Sequence, residues 1–199
     1  MNATIPDMPK DRSIVLVGLM GAGKSAIGRR LAARLGIRFV DADAEIEAAA
    51  GLSIEDIFEV HGEAAFRDGE RRVIRRLLSD PPCVIASGGG AWMDEETRQA
   101  VTETGLSVWL RADIELLLSR VGRRNNRPLL NTGDKRETLE RLIAERYPVY
   151  GEADVVVETE DGPHDNMVDK VIDGIIEHLA AQSHSPETVS DSPLDGPTT

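Results

Sequence analysis

The sequence predicts a three-layer α/β fold, a parallel β-sheet with helices on both faces. Three observations predict it. Short, continuously apolar runs recur along the chain and read as strands buried on both sides. Helical patterns separate these runs, and such alternation gives a doubly wound parallel sheet with right-handed crossovers. The length of 199 residues suits one such domain with extensions.

The first run, "SIVLVGLM" from Ser13, ends in glycines and reads as a central strand. "KSAIGRRLAARLG" follows, with Ile27, Leu31 and Leu35 at helical spacing and Gly36 as the stop. "IRFVDAD" is short and β-like, "CVIAS" (83–87) and "LSVWLRA" (106–112) are buried strands, and "ADVVVE" (153–158) is the fifth. Helical patterns cover 94–104, 113–121, 135–147 and 164–181. Two segments exceed the simple alternation. About forty residues between the second and third strands are mostly helical. In them Ile54, Ile57, Phe58 and His61 share one face, and Phe66, Val73, Ile74, Leu77 and Leu78 share another. The second segment, "SRVGRRNNRPLLNTGD" (119–134), is polar and rich in arginine, with Gly122 and Gly133 near its ends. The expected organisation is a flexible leader (1–11), a single domain (12–182) and a disordered polar tail (183–199).

Composition excludes several classes. Hydrophobic residues make up 41% of the chain, enough for a packed core. A formal charge of −12 argues against nucleic acid or an anionic membrane as partner, because both need a basic footprint. The single cysteine, Cys83, lies in an apolar run and reads as a core residue. The first residues lack an apolar signal segment, and the apolar runs fall short of the roughly 20 residues of a membrane helix. A cytoplasmic location is therefore expected. No long apolar surface stripe is evident, so a monomer is expected.

"GLMGAGKS", Gly18 to Ser25, fits the phosphate-binding P-loop pattern G-x-x-x-x-G-K-[ST]. A buried strand precedes it and an amphipathic helix follows, as the chemistry requires. Glycines let backbone N–H groups curl around phosphate oxygens, and the helix N-terminus adds partial positive charge. Lys24 can reach the terminal phosphates and the Ser25 hydroxyl can ligate Mg²⁺. A P-loop says nucleotide rather than function. No Asn-Lys-x-Asp base-reading motif of a GTPase is present, and the length fits a small kinase.

Ligands in open α/β sheets bind beyond the carboxyl ends of the strands. Asp41 and Asp43 in "FVDADAEIE" stand there. As residues i and i+2 of a strand they would share one face, roughly 6 to 7 Å apart. One could approach Mg²⁺ and the other an acceptor hydroxyl. A helix N-terminus favours acids, which would explain Asp43 but not Asp41 as well. Arg67 and Glu70 in "AAFRDGE" form an i,i+3 pair, which on a solvated helix face is common and worth little. Gly88, Gly89 and Gly90 in "ASGGGAWM" permit close approach of a ligand to backbone, and would equally suit a flexible turn.

Taken together, these motifs resemble those of shikimate kinase. The resemblance runs from about Ser13 to about Leu179. It includes "GLMGAGKSAIGRRLA", "FVDADAEIE", "GLSIEDIFEVHGEAAFRDGE", "VIASGGGA", "NRPLL" and "ERYPVY". It implies a five-stranded parallel sheet of order 2-3-1-4-5, a helical substrate-binding region over 42–78 and a mobile lid over 119–134. It implies phosphorylation of the 3-hydroxyl of shikimate by ATP with Mg²⁺. By resemblance, Gly21, Ala22, Gly23, Lys24, Ser25 and Ala26 hold the nucleotide's phosphates, and Arg127 in the lid covers them. Arg120 and Pro163 flank the adenine. Ser25 and Asp41 serve the metal, Asp41 through water. Asp43 sits beside the phosphorylated hydroxyl. Arg67 and Arg146 grip the carboxylate, Glu70 orients Arg67, and Gly88, Gly89 and Gly90 bring backbone N–H groups to the ring substituents. Lys24, Asp43 and Arg127 are thereby the catalytic set.

Physical chemistry suits these roles. A carboxylate favours planar guanidinium partners, and phosphoryl transfer depends on positioning and charge neutralisation. In a chain of charge −12, the arginines at 120, 123, 124 and 127 favour a phosphate partner, although Arg123 and Arg124 also suit a solvated loop. There are two departures from the family pattern. Ala42 stands where Ser or Thr is frequent, and "TEDGPHD" lacks a basic residue often found in the adenine-side loop. Another small P-loop kinase, acting on gluconate or a nucleoside monophosphate, and a non-catalytic nucleotide-binding protein are the competing readings.

Overall fold

The computed structural model describes residues 11–121 and 134–183. Five strands form one parallel sheet: β1 (Ser13–Val17), β2 (Arg38–Asp41), β3 (Cys83–Ala86), β4 (Gly105–Ala112) and β5 (Val155–Thr159). Their order is β2-β3-β1-β4-β5, as expected. Register is set in the centre, where Ile14 pairs with Val84 and with Leu106, and Leu16 with Ala86 and with Val108. Every residue of β1 and β3 is buried, which accounts for their unbroken apolar sequence. The edge strand β5 alternates buried and exposed residues instead.

Among the described residues, seven α-helices complete the layers. They are α1 (Lys24–Leu35), α2 (Ala42–Ala50), α3 (Ile54–Ser79), α4 (Glu95–Thr104), α5 (Ile114–Val121), α6 (Lys135–Tyr150) and α7 (His164–Ser183). Local signals set their ends. Gly36 closes α1 in the left-handed conformation, Ser53 caps α3 by accepting from the Asp56 N–H, and Asp94 caps α4 by accepting from the Thr97 N–H. Pro81 and Pro82 follow the end of α3, where a helix cannot continue. Among the described residues no helix is long and apolar enough to cross a membrane. The expected lid and its Arg123, Arg124 and Arg127, the leader through residue 10, and the tail from residue 184 lie outside the described residues.

Two expectations need correction. The stretch "IRFVDAD" does not continue as a strand to Asp43. Strand β2 ends at Asp41, and Asp43 already lies in the first turn of α2. The two faces read from 54–78 also have a cause that periodicity did not supply. Helix α3 is broken at Gly62 (φ 78°, ψ 172°), so the phase of its buried stripe shifts there. Before the break Ile57 is buried whereas Phe58 and His61 are exposed. After it Phe66, Val73, Ile74 and Leu77 are buried. Phe58 leans on Phe66 across the break, with ring centroids 4.7 Å apart.

The Gly62 conformation is essentially closed to residues with a Cβ. Gly62→Ala is expected to destabilise the protein by about 1–3 kcal/mol, read as a lowered denaturation midpoint. An unchanged midpoint would mean that the two halves of α3 can join without this break.

Candidate active site

The site forms where β1, β2 and β3 end. Beyond β1 the chain turns through Gly21 (φ 88°) and Gly23 (φ 99°) into the start of α1. This left-handed backbone curls the loop's N–H groups inward and requires glycine. Lys24 Nζ bridges the loop by donating to the Gly18 carbonyl at 2.7 Å and the Leu19 carbonyl at 3.2 Å. The Ser25 hydroxyl donates to Asp41 Oδ2 at 2.9 Å and thereby ties α1 to the end of β2.

Asp41 occupies the N-cap position of α2, yet its carboxylate makes no capping bond. It turns to Ser25 instead. Asp43, two residues on, turns elsewhere. A Cβ added to Gly88 would come within 3.0 Å of Asp43 Oδ1 and 2.5 Å of Glu70 Oε1. The two aspartates therefore diverge because one precedes the helix and the other rides its first turn. They are not strand neighbours on a common face. Ala42 between them is fully buried. A hydroxyl there would point into the core rather than the cleft.

The three glycines after β3 form a turn on which side chains from three helices meet. Gly88 lies against Asp43 and Glu70, and Gly90 against Arg67, whose Nη1 and Nη2 would each lie 2.6 Å from an added Cβ. The Gly89 carbonyl accepts from Arg146 Nη1 at 2.8 Å and from the Tyr150 hydroxyl. The sequence suggested that these glycines admit a ligand to the backbone. In the structure they first admit side chains. Arg67 is held by Glu70 Oε2 at 2.7 Å and by Glu63 Oε1 at 3.3 Å. The i,i+3 pair is no solvated decoration, because the Glu70 side chain is only 3% exposed. Two buried atoms, Glu70 Oε1 and Arg146 Nε, have no hydrogen-bond partner among the described residues.

Between the loop and the glycine turn lies a cleft of about 750 Å³. Its walls include Gly21, Gly23, Lys24, Ser25, Ala26 and Arg120 with Asp41 beside Ser25, and Asp43 and Gly89 further along. Ala22 is buried rather than exposed to the cleft. Arg120 is fixed by donating to the Gly21 carbonyl at 3.3 Å and the Glu160 carbonyl at 2.9 Å, so it links the P-loop to the loop after β5. Pro163 does not line the cleft, whereas Gly162 and His164 on either side of it do. His164, Asp161 and Glu47 are cleft residues that the sequence did not single out. His164 stands one position past Pro163, and only the course of the chain shows which of the two faces inward.

Burial pushes the Glu70 carboxyl above the ordinary glutamate range, against the pull of Arg67, and the charges of Asp43 and Asp94 add to the rise. Folded protein thus holds this proton more tightly than unfolded chain does. The stability it contributes is complete below the unfolded value of about 4.3 and is lost as pH rises through the elevated folded value. Glu70→Gln should remove that slope. The Tm of wild type should therefore fall relative to the variant as pH climbs through the window. Parallel curves would assign the slope to another group.

A P-loop at the end of a central strand, a cleft beside it and an acidic group across that cleft define a nucleotide-dependent phosphotransferase of the small P-loop kinase type. Known proteins narrow the class. The family model described as Shikimate kinase matches residues 20–177. The shikimate kinase of Paramagnetospirillum magneticum is 60% identical over 168 residues, covering 84% of this chain and 86% of that protein. That of Rhodopseudomonas palustris is 53% identical over 176 residues, covering 88% and 87%. The structure of shikimate kinase from Acinetobacter baumannii in complex with shikimate is similar with a TM-score of 0.78 at 38% identity, covering 88% of this chain and 96% of that one. The chain belongs to the shikimate kinase family.

Proposed function

We infer that this chain transfers the terminal phosphoryl group of ATP to the 3-hydroxyl of shikimate, giving shikimate 3-phosphate and ADP on the route to chorismate and the aromatic amino acids. One observation carries the reading within the site. Arg67 and Arg146, from separate helices, converge on the turn that Asp43 also faces. Two guanidinium groups suit a carboxylate, and a carboxylate beside them suits a hydroxyl.

Each residue then has a physical task. Lys24, now spread over its own loop's carbonyls, can swing to phosphate oxygens, because bonds to neutral carbonyls are then replaced by bonds to anionic oxygens. Ser25 and Asp41 offer hard oxygen donors side by side and fit Mg²⁺. Among the described residues no group of three or more His, Cys, Asp or Glu could hold a metal. Mg²⁺ is commonly held by one or two protein groups plus substrate phosphates and water. When bound, Mg²⁺ supplies charge neutralisation at those phosphates. Asp43 positions the acceptor hydroxyl and can take its proton as the bond to phosphorus forms. Glu70 and Glu63 hold Arg67 in place for the carboxylate. Arg127 would cover the phosphates, and Arg120 with His164 would face the base. The chain works as a cytoplasmic monomer in this reading.

The test is ADP formation by the full chain with Mg²⁺ and shikimate, with gluconate run in parallel. Shikimate-dependent turnover is expected, and turnover with gluconate alone would replace the assignment. Lys24→Ala should lower kcat by about 10²–10³-fold, and a near-normal kcat would remove Lys24 from transition-state stabilisation. Arg67→Ala should raise the KM for shikimate by about tenfold or more, in line with loss of a charged hydrogen bond, while the KM for ATP changes little. Equal rises for both substrates would point to misfolding.

A further inference from the structure

Tyr150 is the last residue of α6, fully buried, and plays no part in the mechanism above. Its ring packs edge-on against Trp109, with centroids 5.8 Å apart, and beside Tyr147 at 6.2 Å. This packing fixes the place of its hydroxyl, which donates to the Gly89 carbonyl. Arg146 Nη1, one turn earlier on the same helix, donates to that carbonyl as well, at 2.8 Å. A carbonyl oxygen has two lone pairs, and here both are engaged by α6.

This arrangement orients a peptide plane. All peptide bonds of the described chain are trans. In a trans peptide the C=O of one residue and the N–H of the next point in opposite directions. Anchoring the Gly89 C=O on α6 therefore turns the Gly90 N–H away from α6. Gly90 itself lies against the Arg67 guanidinium. A glycine pair has no side chain to restrain its peptide plane, so an external clamp is needed.

We propose that Tyr150 is a positioning residue for the acceptor site: by clamping the Gly89 carbonyl, which also accepts from Arg146, it sets the direction of the Gly90 N–H and preorganises this donor for the acceptor. The proposal rests on the reading of this site as the shikimate site. Burial raises the Tyr150 pKa to about 12, so the hydroxyl remains a donor at neutral pH.

Tyr147 provides an internal control. It lies on the same helix and in the same aromatic group, and its hydroxyl donates to a different carbonyl, that of Ala112. Y150F and Y147F each delete one such bond and keep the ring. Y150F should raise the KM for shikimate about fivefold or more, as for loss of one buried hydrogen bond, with the KM for ATP within about twofold. Y147F should leave the KM for shikimate within about twofold. Tm within about 5 °C of wild type checks that each variant is folded. In ligand-free protein the ¹⁵N–H resonance of Gly90 should move in Y150F and stay in place in Y147F. An unchanged Gly90 resonance in folded Y150F overturns the proposal. So does an unchanged shikimate KM, or an equal rise in both variants. If wild type did not phosphorylate shikimate, the functional reading would fail, and the Gly90 resonance would still decide the Tyr150 clamp.

Discussion

Three consecutive residues without side chains, at the end of one buried strand, are the constraint on which the acceptor side depends. Five side chains from three helices reach this turn: Asp43 from α2, Arg67 and Glu70 from α3, and Arg146 and Tyr150 from α6. A Cβ at Gly88 would occupy the space of the Glu70 carboxylate, and one at Gly90 the space of the Arg67 guanidinium. The helices can therefore deliver opposite charges to one place only because the backbone there is bare. The sheet makes that place rigid. Strand β3 is buried along its whole length and pairs with both β1 and β2, so the turn inherits the position of the core.

The same topology separates the two acids of "FVDADAEIE". In the order β2-β3-β1, strand β3 lies between the strand that ends in Asp41 and the strand that ends in the P-loop. Strand β3 stops at Ala86, and Ala86 and Ser87 line the cleft. This leaves Asp41 free to reach Ser25 over the end of the intervening strand. Helix α2 then begins at once and carries Asp43 round to Gly88. A carboxylate at an N-cap ordinarily satisfies its own helix, a contribution of about 1 kcal/mol. Asp41 forgoes that bond in favour of Ser25. The local signal for a cap is present in the sequence, and the tertiary contact overrides it.

That override shows how far the sequence can be read. P-loop, aspartates, arginines and triple glycine follow from apolar runs, glycine placement and motif spacing, and the strand order follows from the family resemblance those motifs carry. The divergence of Asp41 and Asp43 does not, because a two-residue shift of a strand end is beyond the resolution of periodicity. The break at Gly62 was visible only as two apolar faces that failed to join. The sequence marks Pro163 and not its neighbour His164, because facing direction in a loop is set by the elements it joins. Tyr150 was visible within "ERYPVY", but a buried tyrosine donating to a remote carbonyl leaves no spacing signature.

Glu70 shows why such a site holds together at all. An exposed Arg–Glu pair three residues apart on a helix contributes little, and the obvious expectation was a solvated face. Burial reverses the accounting. Removing a carboxylate from water costs several kcal/mol, and the attraction of Arg67 offsets this only in part, which is why the Glu70 carboxyl is shifted upward despite a 2.7 Å contact. A pair of apolar residues of similar size would serve stability equally well or better. What they could not do is hold a guanidinium at a fixed angle against a bare glycine. Glu70 also keeps one oxygen unpartnered among the described residues, beside Asp43. Stability alone does not select such an arrangement, whereas the role proposed for Arg67, a fixed cation presented to a small anionic acceptor, would.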